Sequence, residues 1–99
     1  MKNHKVLVLG SNGMAGHLIK EYLSNNSKLE LLGINDEYFL SSKNNYLKKI
    51  ERMSPDIIIN SLRITVNECD NNPKSGILIN SVIPKNLESF YYYSKVKII

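Results

Sequence analysis

The sequence has very little cysteine, since Cys69 is the only one among 99 residues. A lone thiol cannot form an internal disulfide, and the chain has no Cys-x-x-Cys pair or cysteine and histidine cluster that would hold a metal ion. We therefore expect no metal site, and we expect the protein to belong to a reducing compartment, the cytoplasm.

Long apolar segments are also missing. No stretch approaches the roughly 18 apolar residues that a membrane-spanning helix requires. The first apolar run, Val6–Leu9, is far shorter than the core of a signal peptide. We therefore expect neither a targeting segment nor contact with a membrane.

Arginine is scarce, because Arg52 and Arg63 are the only two, although the chain is basic overall. Thirteen lysines and arginines against nine aspartates and glutamates give a formal net charge of +4. The lysines are scattered, whereas a nucleic-acid backbone is bound by a clustered basic face, so we expect no nucleic-acid partner. A composition of 42% hydrophobic and 22% charged residues is ordinary for globular proteins and predicts one folded domain over residues 1–99.

The chain begins with the pattern of a buried strand followed by an amphipathic helix. Residues 5–9 form a short aliphatic run closed by Gly10, which predicts a strand buried on both faces. Apolar residues then recur at intervals of three and four, which predicts a helix. Its predicted inner positions are Met14, Leu18, Ile19, Tyr22 and Leu23. A second strand is predicted at Leu29–Ile34, ended by the turn-forming pair Asn35-Asp36.

The later apolar runs continue this alternation. We predict a short third strand at Tyr38–Leu40, a helix over about 42–53, a buried strand at Ile57–Ile59, a helix over 71–93 and a last strand at Val96–Ile99. Ser41 or Ser42 would cap the first of these helices, Pro55 would stop it, and Pro84 would kink the second.

This order of elements defines the fold class. Crossovers long enough for helices require a mostly parallel sheet, and right-handed connections give the strand order 3-2-1-4-5. The prediction is a three-layer, Rossmann-like α/β fold, one half of a doubly wound NAD(P)-binding fold that is truncated because the chain ends inside a strand. Ligands of such folds bind over the carboxyl ends of strands 1 and 4. An unpaired edge strand could also pair with a second copy of the chain, so a homo-oligomer is possible.

The loop after the first strand carries the chemistry. Three glycines spaced G-x-x-G-x-x-G stand between a buried strand and a helix, as in loops that hold the pyrophosphate of NAD(H) or NADP(H). Gly10 would permit the tight turn, Gly13 would let the phosphates approach the backbone, and Gly16 would let the helix pack closely on the sheet. The free N–H groups at the start of this helix would face the anion. The predicted contacts here are Gly10, Asn12, Gly13, Met14, Ala15 and Gly16. The alternative is an ordinary strand-to-helix turn.

Two further segments complete the predicted cofactor site. Asp36 lies twenty residues after Gly16, where an acidic side chain accepts hydrogen bonds from the adenine ribose, and Asn35 is the neighbouring candidate. An inward carboxylate would slightly favour NAD(H), since it repels the 2′-phosphate of NADP(H), whereas an outward one would be a plain turn residue. Ser61, Leu62 and Arg63 would pass beneath the cofactor, with Arg63 meeting either a phosphate or solvent.

Other polar residues receive different predictions. Asn80 would lie on the inner stripe of the last helix and bond the loop after strand 4, or else face solvent. Tyr91 and Lys95 have the spacing of a Tyr-x-x-x-Lys catalytic pair, but they come one strand and one helix too early, so the tyrosines are expected to pack the helix. His4 and His17 are expected at the surface, and no catalytic residue is predicted.

Three blocks of the sequence, residues 5–17, 54–61 and 79–87, resemble successive segments of the extended short-chain dehydrogenase/reductases, most closely the dTDP-4-dehydrorhamnose reductase family. The resemblance covers essentially the whole chain but only the amino-terminal part of that family's length. Where the family often has an aspartate followed by an apolar residue near strand 3, this chain has Tyr38–Leu40.

The resemblance implies the amino-terminal part of a cytoplasmic enzyme that reduces a 4-keto nucleotide sugar with NADH or NADPH for cell-surface polysaccharide synthesis. The orienting serine or threonine and the true Tyr-x-x-x-Lys motif would follow Ile99, so the nucleotide sugar would bind only the full-length protein. Two alternatives remain: a stand-alone NAD(P)-sensing domain without catalysis, and a fragment that folds but binds nothing well.

Overall fold

The computed structural model describes residues 4–40, 45–62 and 73–99. Its elements in chain order are β1 (His4–Leu9), α1 (Met14–Leu23), β2 (Leu29–Ile34), α2 (Asp36–Leu40), α3 (Tyr46–Met53), β3 (Ile57–Asn60), α4 (Pro73–Ile77), a π-helical turn (Leu78–Val82), α5 (Ile83–Phe90) and β4 (Lys97–Ile98).

The four strands form one parallel sheet in the order β2-β1-β3-β4. β1 occupies the centre, where Val6 pairs with Leu31 on one side and Ile57 on the other. Burial on both faces explains the uninterrupted aliphatic sequence of β1. The predicted parallel α/β architecture is therefore confirmed.

The predicted third strand is wrong. Tyr38–Leu40 belongs to helix α2, so the sheet has four strands. The predicted strand order 3-2-1-4-5 therefore lacks strand 3, and the remaining strands keep their predicted order. Asp36 and Glu37 open this helix, where negative side chains interact favourably with the free N–H groups of the first turn. The helical turn also brings the ring of Phe39 into the core, where it contacts Tyr38 and Tyr46 and is 0% exposed. Packing of this ring favours the helix over the strand.

Helix α3 begins later than the predicted start at about residue 42. Its N-cap is Asn45, whose side-chain oxygen accepts a hydrogen bond from the Lys48 N–H at 3.3 Å. The cap is therefore neither of the predicted serines, Ser41 and Ser42, which lie outside the described residues. The helix ends as predicted, with Ser54 in the left-handed conformation (φ 50°) just before Pro55.

The last helix runs through Pro84 by widening before it. The Ile83 N–H donates to the Leu78 carbonyl, five residues back, and Leu78–Val82 forms a π-helical turn. Proline lacks an N–H and its ring crowds the carbonyl of the preceding turn. A π turn removes that crowding without ending the helix, so the predicted irregularity lies immediately before Pro84.

The main core lies on one face of the sheet. Helices α2, α3 and α5 and the π-helical turn cover the side chains of Leu7, Leu9 and Ile58. This core includes Ile50, Ile79, Ile83 and Leu87. Val6 and Val8 alternate to the opposite face. Of the described helices, α1 packs on that second face.

The predicted inner face of α1 is partly wrong. Gly16 is its only buried residue, Ile19 and Leu23 are half-buried, and Met14, Leu18 and Tyr22 are exposed, Met14 by 84%. The helix contacts the sheet through its glycine side, and no second described helix flanks it on this face. Three apolar side chains of the stripe are therefore left facing solvent.

Candidate functional site

The glycine loop forms a tight turn at the carboxyl end of the central strand. Gly10 has a φ of 78°, a conformation that favours glycine. The N–H groups of Gly10 and Ser11 both donate to the Ile34 carbonyl, at 2.8 and 3.2 Å, and the Gly13 N–H donates to the Gly10 carbonyl at 3.1 Å. The two bonds to Ile34 attach the loop to the end of β2, and the third closes the turn within the loop.

Two of the three glycines are required by close packing. A Cβ at Gly16 would overlap the Gly10 carbonyl oxygen and lie 2.8 Å from the Ser61 hydroxyl, so only glycine lets α1 approach the loop this closely. A Cβ at Gly10 would lie 2.6 Å from a carboxylate oxygen of Asp36. At Gly13 the nearest atoms would be 3.4 Å away or more, an ordinary contact distance. Gly13 is therefore the loop glycine at which an added Cβ fits without overlap.

The N-terminus of α1 leaves backbone donors available. Gly13 is its N-cap and offers no side-chain bond, and the first turn contains no acidic residue. Met14 and Ala15 begin the helix on the exposed side of the loop. The first N–H groups of a helix have no partner within it and carry partial positive charge, so this end of α1 can hold an anion.

Asn35 and Asp36 lie against the loop, at the end of β2. The Asp36 N–H donates to the Asn12 side-chain oxygen at 2.9 Å, and the Ser11 hydroxyl donates to the Asn35 side-chain oxygen at 3.4 Å. The two carboxylate oxygens of Asp36 face Gly10 and Gly13. The structure thus brings together the loop and both predicted ribose ligands, with the Asp36 carboxylate turned inward.

The segment after β3 adjoins the loop from the other side. The Ser61 hydroxyl donates to the Leu9 carbonyl at 2.5 Å, which ties this segment to the end of β1. The Leu62 side chain is buried in the core, and its N–H bonds the Asn60 side chain at 3.1 Å. Arg63 lies outside the described residues. Contact between Ser61, Leu62 or Arg63 and a cofactor stays a prediction.

The polar residues of the last helix differ from expectation. Asn80 is exposed, so its predicted place on the inner stripe of the last helix is wrong, whereas its predicted hydrogen bond to the loop after strand 4 stays a prediction. Asn86 makes a contact between helices that was not predicted: its side-chain amide donates to the Tyr46 hydroxyl at 2.7 Å. Asn86 was missed because its spacing from Ile83 and Leu87 alone does not distinguish it from a surface residue.

The Tyr91 and Lys95 pair is not arranged for catalysis. The Tyr91 hydroxyl is buried, and burial, together with the nearby Glu51 carboxylate, raises its pKa. Lys95 lies beyond the end of α5 at Phe90, so the two residues do not share a helix face. Tyr91 packs against the core as expected, but Tyr92 and Tyr93 are exposed, so the expectation that all three tyrosines pack is wrong.

Both histidines lie at the surface as predicted. His4 is 3.9 Å from the Asp56 carboxylate and His17 is 3.7 Å from that of Glu21. Within the described ranges, no group of three side chains could hold a metal ion. None of the helices in this part of the chain is long and apolar enough to cross a membrane.

A parallel sheet, a glycine turn at the carboxyl end of its central strand and a free helix N-terminus above that turn define a Rossmann-like α/β domain. Solved structures share the fold, and three of them are dTDP-4-dehydrorhamnose reductases. The protein from Clostridium acetobutylicum ATCC 824 is 24% identical over 95% of this chain, with a TM-score of 0.74. That from Bacillus anthracis str. Ames, in complex with NADP, is 18% identical over 99%, with a TM-score of 0.78. That from Yersinia enterocolitica is 16% identical over 97%, with a TM-score of 0.76.

These likenesses establish the fold, and the expected similarity to this group of reductases is confirmed at that level. The chain spans about a third of the length of these proteins, between 34% and 35%. No protein-family model matches the sequence, and no curated protein sequence does so either. Function must therefore be argued from the site.

Proposed function

We propose that this chain is the NAD(P)-binding portion of a sugar-nucleotide oxidoreductase that resembles dTDP-4-dehydrorhamnose reductase. The observation that carries the proposal is the glycine loop, in which a tight turn at Gly10 and close packing at Gly16 leave Gly13 and the N-terminus of α1 open. Such an arrangement suits a pyrophosphate, because backbone N–H groups and the helix dipole both favour the anion.

The cofactor of this proposal is NAD(H) or NADP(H). Gly10, Asn12, Gly13, Met14, Ala15 and Gly16 would surround the pyrophosphate, and Asn35 and Asp36 would hold the adenine ribose. Ser61, Leu62 and Arg63 would line the far side. The inward Asp36 carboxylate slightly favours NAD(H). Support for a nicotinamide dinucleotide also comes from the similar reductase of Bacillus anthracis, which is in complex with NADP. A bound dinucleotide would supply hydride transfer.

The activity proposed for the whole protein is reduction of a 4-keto nucleotide sugar in the cytoplasm, as part of cell-surface polysaccharide synthesis. The three reductases of similar fold support this class of substrate. Tyr91 and Lys95 do not supply the catalytic pair, because the Tyr91 hydroxyl is buried. The 99-residue chain is therefore expected to bind cofactor without turning over a sugar nucleotide.

Titration of the 99-residue chain with NADH and NADPH, by calorimetry and by cofactor fluorescence, tests this proposal. We expect saturable binding of at least one cofactor, and loss of binding in Gly13→Leu, which adds a bulky side chain at the loop position where a Cβ meets no atom closer than 3.4 Å. Ser89→Leu, which adds the same side chain at an exposed position of α5, is the matched control and should bind normally.

Three results would contradict the proposal. The first is no binding of either cofactor at millimolar concentration. The second is undiminished binding by Gly13→Leu, which would mean that the loop is not the site. The third is reductase turnover by the 99-residue chain, which would mean that it carries catalytic residues that the sequence does not predict.

A further inference from the structure

A gap in β2 lies beside the candidate ribose site. Gly33 is the last residue but one of this strand and pairs with Val8, so it faces α1. A Cβ at Gly33 would lie 2.5 Å from the Ser11 hydroxyl oxygen and 3.2 Å from the Lys20 ammonium nitrogen. A hydroxyl of the glycine loop and the ammonium of α1 therefore converge on one point, which the absent side chain leaves open.

Lys20 differs from a solvated surface lysine. Its side chain is half-buried between α1 and the end of β2. The contacts of His4 with Asp56 and of His17 with Glu21 do not involve Lys20. A half-buried ammonium without a carboxylate partner among these residues, next to a hydroxyl, is suited to receive an anion from solution.

The position of this pair indicates which anion. In a Rossmann-like fold the adenosine ribose hydroxyls lie at the carboxyl end of the second strand. Gly33 is two residues before Asn35, and the Ser11 hydroxyl already donates to the Asn35 side chain at 3.4 Å. A phosphate on the ribose 2′ oxygen is the group that distinguishes NADP(H) from NAD(H) at this place.

We propose that Lys20 and Ser11 form the subsite for the 2′-phosphate of NADP(H). The carboxylate oxygens of Asp36 face Gly10 and Gly13, whereas the ammonium faces Gly33. The positive charge of Lys20 offsets the repulsion between Asp36 and the phosphate, so the chain accepts NADP(H) as well as NAD(H). This subsite rests on the proposed function, because it needs a dinucleotide in the glycine loop.

The test is calorimetric titration of the 99-residue chain with NADPH, NADH and adenosine 2′,5′-bisphosphate, in the wild type and in Lys20→Met. The variant keeps an unbranched side chain, one atom shorter than that of lysine, and removes the charge. We expect about tenfold weaker binding of NADPH and of the bisphosphate, and a change of less than about twofold for NADH. Lys28→Met, at an exposed lysine just before β2, is the matched control and should leave all three affinities unchanged.

The outcomes separate this subsite from the proposed function. NADH binding by the wild type without NADPH binding would overturn the subsite alone, and failure of both cofactors to bind would overturn the two proposals together. An equal loss for NADH and NADPH in Lys20→Met would show that Lys20 acts through the fold or the pyrophosphate. Unchanged NADPH binding would exclude Lys20 as a ligand. Added salt should reduce the affinity for NADPH more than that for NADH in the wild type, but not in Lys20→Met.

Discussion

Substitution of Gly16 by alanine measures how closely α1 is seated on the loop. The new Cβ would overlap the Gly10 carbonyl oxygen and lie 2.8 Å from the Ser61 hydroxyl oxygen. The first of these obstacles is backbone, and the Gly13 N–H holds it by a hydrogen bond at 3.1 Å. It cannot rotate away as a side chain could, so α1 or the whole turn must shift.

Two opposing effects determine the magnitude. Alanine improves helix propensity over glycine by about 1 kcal/mol. Overpacking against a fixed group costs about 3 kcal/mol, the upper part of the usual range, because the obstacle is main chain. The free energy of unfolding of Gly16→Ala should therefore fall by about 2 kcal/mol, which for a domain of this length lowers the Tm by about 10 °C.

Thermal and urea unfolding followed by far-UV circular dichroism are the assays. Gly13→Ala is the control, since its Cβ would lie 3.4 Å from the same carbonyl oxygen, an ordinary contact, and should change the Tm by no more than about 3 °C. A Gly16→Ala protein as stable as the wild type would refute the reasoning, because helix propensity would then have outweighed the overlap.

Two further predictions concern the core. Phe39→Ala removes a fully buried ring and should lower the free energy of unfolding, measured by urea titration, by about 3 to 5 kcal/mol. Phe90→Ala, the control at a partly exposed ring, should lower it clearly less. Equal losses in the two variants would contradict the packing of α2. Burial, and secondarily Glu51, raises the pKa of Tyr91 above 10.0, so the stability due to this neutral hydroxyl is complete below about pH 10 and is lost as the pH rises through the folded-state pKa. Tyr91→Phe should therefore lose less stability than the wild type in this alkaline range, and parallel losses would be evidence against the shift.

The strands that form the sheet were the most predictable part of the fold. The bounds predicted for β2, Leu29–Ile34, agree with the structure, because a continuous apolar run ended by Asn35-Asp36 has few other interpretations. Helix α2 could not be predicted in the same way. Three residues such as Tyr38–Leu40 are too few to show a period, and the burial of Phe39, a tertiary contact, decides between strand and helix.

Periodicity predicted that α1 is amphipathic but not which part of its stripe is covered. The spacing of Met14, Leu18 and Tyr22 marks one side of a helix, yet these residues are exposed because the contact with the sheet is made beside them, at Gly16. What covers a stripe depends on neighbouring elements, which local spacing does not encode.

Part of the candidate site could also be predicted from local sequence, and part depends on contacts between elements. The loop was predictable because three glycines at fixed spacing between a strand and a helix have a specific backbone geometry. The approach of Lys20 to Ser11 could not be predicted, because it brings α1 and the glycine loop together at Gly33 of β2, where no side chain separates them. A glycine inside a strand is the available signal for such a close approach, and Gly33 is one.

The central position of β1 has a consequence for how the chain reaches its native state. β1 is the first strand to be synthesised, yet it lies between β2 and β3 in the sheet. Val6 can therefore complete its strand pairing only after both Leu31 and Ile57 have been synthesised. Contacts that span half of the chain form slowly, since the loop between them must close first. The most deeply buried of the described strands therefore remains half-paired until residue 60 has been made, and the nascent chain is most exposed to aggregation during this interval.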